Sequence, residues 1–422
     1  MKTGSIAVLR ALLLLAAMLL VTLVLRSSPA LAADTRPPVQ VGFDGAFGAT
    51  GTITSEAIKY GLDMAIDEIN AAGGVLGGRR IELVVKDNRA NPARGKANMQ
   101  DFAAMPEVVA VFGGAFSTVM LESLGVAHEA RINLLLPWSS ADELIANGRQ
   151  PNYAFRIGIH DDLSALAMLS RAREHGYKRI GLMVANSGWG RSNMSAFERH
   201  LKKMPDMKVV GIDWHNAGTT GLIDKYDRLQ QAGAQAIILV MTGRELGPLL
   251  REIGEHLAVN GAPPVLPLLA HGGGVVGWRL FDAHSAVLKR IDLCAAQSFS
   301  LFRLPPSKAE AIVAKARKAY GIDLYKDYDG PVGFANAYDL MHILARAIDL
   351  AGSAERSKVR DALENVRNYD GLMRRYARPF EPGRHEAASL AQIVFTRFRA
   401  DGVLVPADGA GASRHPPLSR PR

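Results

Sequence analysis

The sequence predicts an α/β protein built from two doubly wound lobes. Three observations predict it. Short apolar runs alternate with amphipathic stretches from Val39 onward, the signature of parallel strands joined by helices. The alternation restarts near residue 157, giving a second unit of similar size. With 422 residues, the chain is also longer than one hydrophobic core usually serves.

The first unit reads in order. Residues 39–44 form a strand, and Ile58, Leu62, Ala65 and Ile69 recur at helical spacing within 55–72. Gly73 and Gly74 stop that helix, because glycine tolerates the left-handed cap. Residues 81–85, 108–112 and 132–136 are the next strands, with helices over 93–105 and 117–130 and Pro137 closing the fourth strand. Residues 153–157 read as an extended crossing into the second unit. There, strands at 179–184, 209–212, 236–240, 267–269 and 291–295 alternate with helices, the first two at 161–175 and 191–204. Helices follow at 308–320, 333–350 and 357–366, and residues 390–399 alternate like a strand. The expected organisation is a leader at 1–32, a first lobe of 33–157 plus 298–369, a second lobe of 158–297 plus 370–405, and a disordered tail at 406–422, rich in Pro, Gly and Ser.

The leader carries the compartment. Lys2 and Arg10 precede an uncharged run from Ala11 to Leu25, and Ala30 and Ala32 form the small-x-small pattern of signal-peptide cleavage. The run is short for a bilayer-spanning helix, which needs about 20 residues. No cysteine lies near the cleavage site, so no lipid anchor of the bacterial lipoprotein kind is expected; Cys294 is the only cysteine, and no intramolecular disulfide is possible. A periplasmic chain held together by its core follows. The net charge of +9 is spread partly over the leader and the tail, and no basic stripe is interleaved with aromatics, which argues against nucleic-acid binding.

Candidate site residues sit at the carboxyl ends of the strands, where open α/β sheets bind ligands. A strand runs through Gly113 and Gly114 to Phe116, Ser117 and Thr118 at a helix start, whose free N–H groups and hydroxyl suit a carboxylate; a plain helix cap is the other reading. Trp138, Ser139 and Ser140 end the next strand on the same edge. Trp189 lies between Gly188 and Gly190 at the matching edge of the second unit, as a lid over a solute or a packed core residue. Gly272, Gly274 and Gly277 match G-x-G-x-x-G, but an exported protein meets little dinucleotide, so no cofactor is expected. The histidines show no paired metal-ligand spacing, and neither a G-x-S-x-G elbow nor a P-loop is present, so no metal site and no enzyme activity are expected.

Residues 41–51 (VGFDGAFGATG) and above all 65–88 (AIDEINAAGGVLGGRRIELVVKDN) resemble the leucine/isoleucine/valine-binding proteins of ABC importers, with the resemblance running from about Val39 to Arg399. It implies a type I periplasmic binding-protein fold, two Rossmann-like lobes joined by a three-stranded hinge, that delivers an amino acid or a related carboxylate or amide to an inner-membrane permease, acting as a monomer. It places the ligand's carboxylate and ammonium at Ser117, Trp138 (through its backbone) and Ser140. It adds Phe116 and Thr52 on the first lobe, and Trp189 and His271 on the second. One departure stands out. The family's second-lobe acid, which pairs with the ammonium, falls in the stretch 271–274, where no acid occurs. Either Glu245 or Asp329 supplies the charge, or the ligand is not an α-amino acid. A sensor delivering its ligand to a membrane receptor and an exported α/β hydrolase are the rival functions.

Overall fold

The computed structural model describes residues 36–48, 52–259, 264–275, 277–325 and 331–408. The leader at 1–32 and the tail from 409 onward lie outside the described residues.

The first sheet is all parallel. It contains β1 (Val39–Gly45), β2 (Ile81–Asp87), β3 (Val108–Gly113), β4 (Asn133–Leu136) and β5 (Ala154–Arg156), in the order β2-β1-β3-β4-β5. The segment expected only as a crossing thus supplies a three-residue fifth strand, with Leu135 opposite Phe155. Strands β3, β4 and β5 are buried along their whole length, as continuous apolar runs in a doubly covered sheet must be. Helices α1 (Thr52–Ala71), α2 (Pro92–Ala103) and α3 (Ser117–Glu129) connect them. Helices α2 and α3 cover one face, where Phe102, Val119 and Met120 pack under Val108, Val111 and Leu134.

The second sheet holds β6 (Arg179–Ala185), β7 (Lys208–His215), β8 (Ala236–Val240), β9 (Leu268–His271), β10 (Leu293–Gln297), and later β13 (Val394–Phe398) and β14 (Leu404–Pro406). Its order is β14-β13-β10-β9-β8-β6-β7, with β13 and β14 antiparallel at one edge. Helices α4 (Asp161–Glu174) and α5 (Gly188–Leu201) pack on one face through Met168, Leu169 and Phe197. Helices α6 (Ile223–Gln231), α7 (Gly243–His256) and α8 (Trp278–Leu288) lie within the core on the other, through Tyr226, Leu250 and Val287.

The chain then returns to the first sheet with α9 (Pro306–Tyr320), α10 (Pro331–Ala351) and α11 (Arg356–Leu363). Helix α10 crosses α1 so closely that a Cβ on Gly61 would stand 2.3 Å from the carbonyl oxygen of Phe334, which only glycine avoids. A small hairpin follows, β11 (Tyr369–Asp370) with β12 (Arg375–Tyr376). The fully buried Asp339 of α10 pins it, accepting from the N–H groups of Leu372 and Met373 and the hydroxyls of Tyr369 and Tyr376. Tyr376 and Phe380 belong to the first core. The final return to the second sheet therefore comes later than residue 369, after the pairing of Glu386 with Arg156.

The ordered chain also extends past the expected start of the tail. Pro406 closes β14, the buried Ala407 donates to the carbonyl of Phe395 at 2.7 Å, and Asp408 pairs with Arg171. Backbone pairing, which a composition rich in Pro and Gly does not forbid at a sheet edge, explains the difference.

Candidate ligand-binding cleft

Two sheets point their carboxyl ends toward the segments that cross between them, at 157–160, 298–300 and 388–393. A cavity with about 300 Å³ of space between atoms lies there. It is lined from the first sheet's side by Trp138, Ser140 and the α10 residues Val332 and Asn336, from the crossings by Gly158, Ile159 and Ser298, and from the second sheet by His271 and Gln297.

On the first-lobe side a bare helix start stands behind Ser140, and its residues Ser117 and Thr118 do not themselves line the cavity. Phe116 caps α3 in extended conformation, with no side-chain bond to the helix. The N–H groups of Ser117 and Thr118 have no acceptor among the described residues. Ser117 is buried, and its hydroxyl oxygen accepts from the N–H groups of Ser140 (3.1 Å) and Ala141 (3.2 Å). It therefore staples the loop after β4 to α3 while keeping its own proton to donate. Ser139 ties the same loop to the carbonyl of Gly114 at 2.7 Å. Neither the N–H nor the C=O of Trp138 is bonded to backbone among the described residues. The Phe116 ring packs against the core that contains α2 and α3 and is not part of the cavity lining. Thr52 is the first residue of α1, and the loop before it, 49–51, lies outside the described residues.

On the second-lobe side an acid outside the stretch 271–274 stands behind the lining residue His271, without itself lining the cavity. Asp161 opens α4 directly after the first crossing and is fully buried. Its N–H donates to the carbonyl of Ser140 at 2.9 Å. Its Oδ1 accepts from the indole N–H of Trp189 at 3.1 Å and lies 3.5 Å from Nε2 of His271. Its Oδ2 has no partner among the described residues. The N–H of Gly273 donates to Nδ1 of His271 at 3.2 Å, so a neutral imidazole carries its proton on Nε2, facing the carboxylate. Trp189 and His271 meet edge to face at 5.0 Å. Trp189 thus stands at the start of a helix, N-capped by Ser187, and steadies a carboxylate; it does not line the cavity.

Of the two acids considered from the sequence, only Glu245 lies among the described residues, and it is engaged elsewhere. Glu245 spends its carboxylate on capping α7, accepting from Thr242, and on the N–H of Gly218 at 2.9 Å. Asp329 lies outside the described residues. The sequence signal for Asp161 was its place, an acid at a helix start immediately after a chain crossing. Asn336 was also missed; its signal was a lone amide in the apolar stretch VGFANA of a helix. The glycine-rich turn after β9 serves packing, since a Cβ on Gly272 would stand 2.4 Å from the carbonyl of Ala296.

A charged cluster flanks the cleft. Fully buried Arg156 donates to the carbonyls of Ser139 and Ala141 and to Glu386 at 2.6 Å. His160 bridges Glu386 (2.8 Å) and Asp142 (3.2 Å). Burial alone would lower its pKa, but its hydrogen bonds to Asp142 and Glu386 outweigh burial and hold it up at about 9. Asp142, beside the first sheet, then reaches Arg199 of α5 at 2.6 Å, and its N–H donates to the hydroxyl of Ser192 at 3.0 Å. This is a clasp between the lobes.

The family model of periplasmic binding proteins matches residues 38–394. The chain belongs to the periplasmic binding protein family. A leucine-, isoleucine-, valine-, threonine- and alanine-binding protein of Pseudomonas aeruginosa is 24% identical over 325 residues, 74% of this chain and 80% of that relative. Among solved structures, the branched-chain amino acid transporter substrate-binding protein LivJ of Streptococcus pneumoniae, in complex with isoleucine, matches with a TM-score of 0.72 at 21% identity, covering 87% of this chain and 99% of that one. A solute-binding protein of an ABC transporter from R. palustris, in complex with 4-hydroxybenzoate, also matches with a TM-score of 0.72, at 17% identity, covering 87% and 95%. The type I periplasmic binding-protein fold is thereby established. Among the described residues, no group of three or more His, Cys, Asp or Glu is placed to hold a metal ion, and no helix is long and apolar enough to cross a membrane.

Proposed function

We propose that this chain is the extracytoplasmic solute-binding component of an ABC importer and that its ligand is an amino acid. One observation carries the choice of ligand: two poles of opposite sign lie beside the cavity, both bonded to Ser140, which lines it. The N–H of Ser140 holds the hydroxyl of Ser117 at the bare start of α3, and its carbonyl holds the N–H of Asp161. An α-carboxylate suits the first pole, where free N–H groups and the helix dipole favour an anion. An α-ammonium suits the second, where the open Oδ2 of Asp161 is a desolvated acceptor in need of a cation. A simple carboxylic acid satisfies only the first pole, which favours the amino acid over an aromatic acid.

Lobe closure follows from the same geometry. Ser117 and Ser140 stand on the first lobe, Asp161, Trp189 and His271 on the second, and a ligand touching both favours the closed arrangement. The leader at 1–32 supports export to the periplasm with cleavage after Ala32. The mature protein then acts as a monomer that hands its ligand to an inner-membrane permease. The lobe limits we propose are 33–157 plus 298–387 and 158–297 plus 388–408. A thermal-shift screen over the amino acids, amides and aromatic acids tests the reading. A ligand at about 100 times its dissociation constant stabilises the fold by roughly 2.7 kcal/mol. Stabilisation by aromatic acids and by no amino acid overturns it.

A further inference from the structure

The inner end of the cleft holds an acceptor that neither pole uses. Asn336 lies in the second turn of α10, is 1% exposed, and lines the cavity beside Val332 and Trp138. Its Nδ2 donates to the carbonyl of Pro137 at 2.6 Å. That bond fixes the amide's orientation, because only the NH₂ group can satisfy a carbonyl. Its Oδ1 is then buried with no partner among the described residues. A buried acceptor left empty is costly.

Building on the amino-acid reading above, we propose that the ligand's side chain carries a hydrogen-bond donor, a hydroxyl or a carboxamide, that is received by Oδ1 of Asn336. The ligand's α-groups are held near Ser140 and Asp161, so its side chain extends along the rest of the cavity, toward α10. There Trp138, Ile159 and Val332 give it an apolar wall, and Asn336 gives a fixed acceptor on that helix. A purely aliphatic side chain there would leave Oδ1 empty. A side chain of the same shape with a hydroxyl or amide N–H would satisfy it. Asn336 is thus a specificity-determining residue that selects polar over branched aliphatic amino acids.

Titration calorimetry on the mature protein with two near-isosteric pairs, threonine against valine and asparagine against leucine, tests this. The expected result is that the donor-bearing member of at least one pair binds about tenfold or more tightly than its aliphatic partner. In Asn336→Leu the preference is expected to vanish. If that variant does not fold, for want of the bond to Pro137, the wild-type selectivity alone decides. Binding of valine and leucine as tight as that of their partners overturns this inference and leaves the amino-acid reading intact. An unchanged preference in a folded Asn336→Leu protein does the same. Binding of no amino acid overturns both.

Discussion

Replacing Asp161 by asparagine tests the ammonium pole without disturbing its frame. In Asp161→Asn the side-chain carbonyl oxygen can still accept from the indole of Trp189, as Oδ1 does now at 3.1 Å. The new NH₂ group then replaces the unpartnered Oδ2, so a donor faces the ligand's ammonium. The variant loses one charge-assisted hydrogen bond, worth about 1.5–3 kcal/mol. At about 1.36 kcal/mol per factor of ten, that weakens binding by roughly 10- to 150-fold. Titration calorimetry with the tightest-binding amino acid reads the loss. An analogue lacking the α-amino group serves as control and binds the variant no worse than wild type. The unliganded variant melts at or above the wild-type temperature, because a desolvated carboxylate has been removed. Equal affinity of wild type and variant for the amino acid would refute the role given to Asp161.

Three further predictions concern titration and burial. The folded pKa of His160 is raised to about 9 from 6.5, so its contribution is complete below about pH 6.5 and is lost as pH rises through 9; melting curves of wild type and His160→Gln should differ at about pH 6 and converge above about pH 10. Asp44 is fully buried, and burial, opposed by hydrogen bonds from Asn98 and Asn88, raises its pKa to about 6. Its ionisation costs stability as pH rises through 6, so Asp44→Asn should raise stability at about pH 8 by up to about 3 kcal/mol and change little at about pH 4, as chemical denaturation would show. Burial pushes the Cys294 thiol up to about 12, so a thiol reagent at about pH 8 should label the native protein only as fast as it unfolds; rapid labelling of folded protein would contradict the burial.

The sheet-forming part of the fold was legible because its signals are local. Fully buried runs such as VVAVF at 108–112 cannot sit anywhere but between two helical layers, and most helices began within a few residues of the expected position. What escaped was set by tertiary contact. The hairpin at 369–376 joins the first lobe because Asp339 collects four donors from it, a convergence across 30 residues or more that no local pattern records. The edge strand through Pro406 forms because β13 offers it a partner. Of the residues singled out at strand ends, Trp138, Ser140 and His271 line the cavity, whereas Ser117 and Trp189 stand behind it. Spacing along the sequence points to 271–274 and does not record an acid that the fold brings beside that stretch from elsewhere in the chain. In the structure that stretch gives His271, whose Nε2 lies 3.5 Å from Oδ1 of Asp161 although the two residues are far apart in the chain.

The most direct measurement is a crystal structure of the protein with its tightest-binding amino acid. The ligand's nitrogen should lie within hydrogen-bonding distance of Oδ2 of Asp161, and its carboxylate should lie on the N–H groups of Ser117 and Thr118. A ligand bound outside the two lobes, or one with its carboxylate turned toward Asp161, would contradict the two-pole cleft.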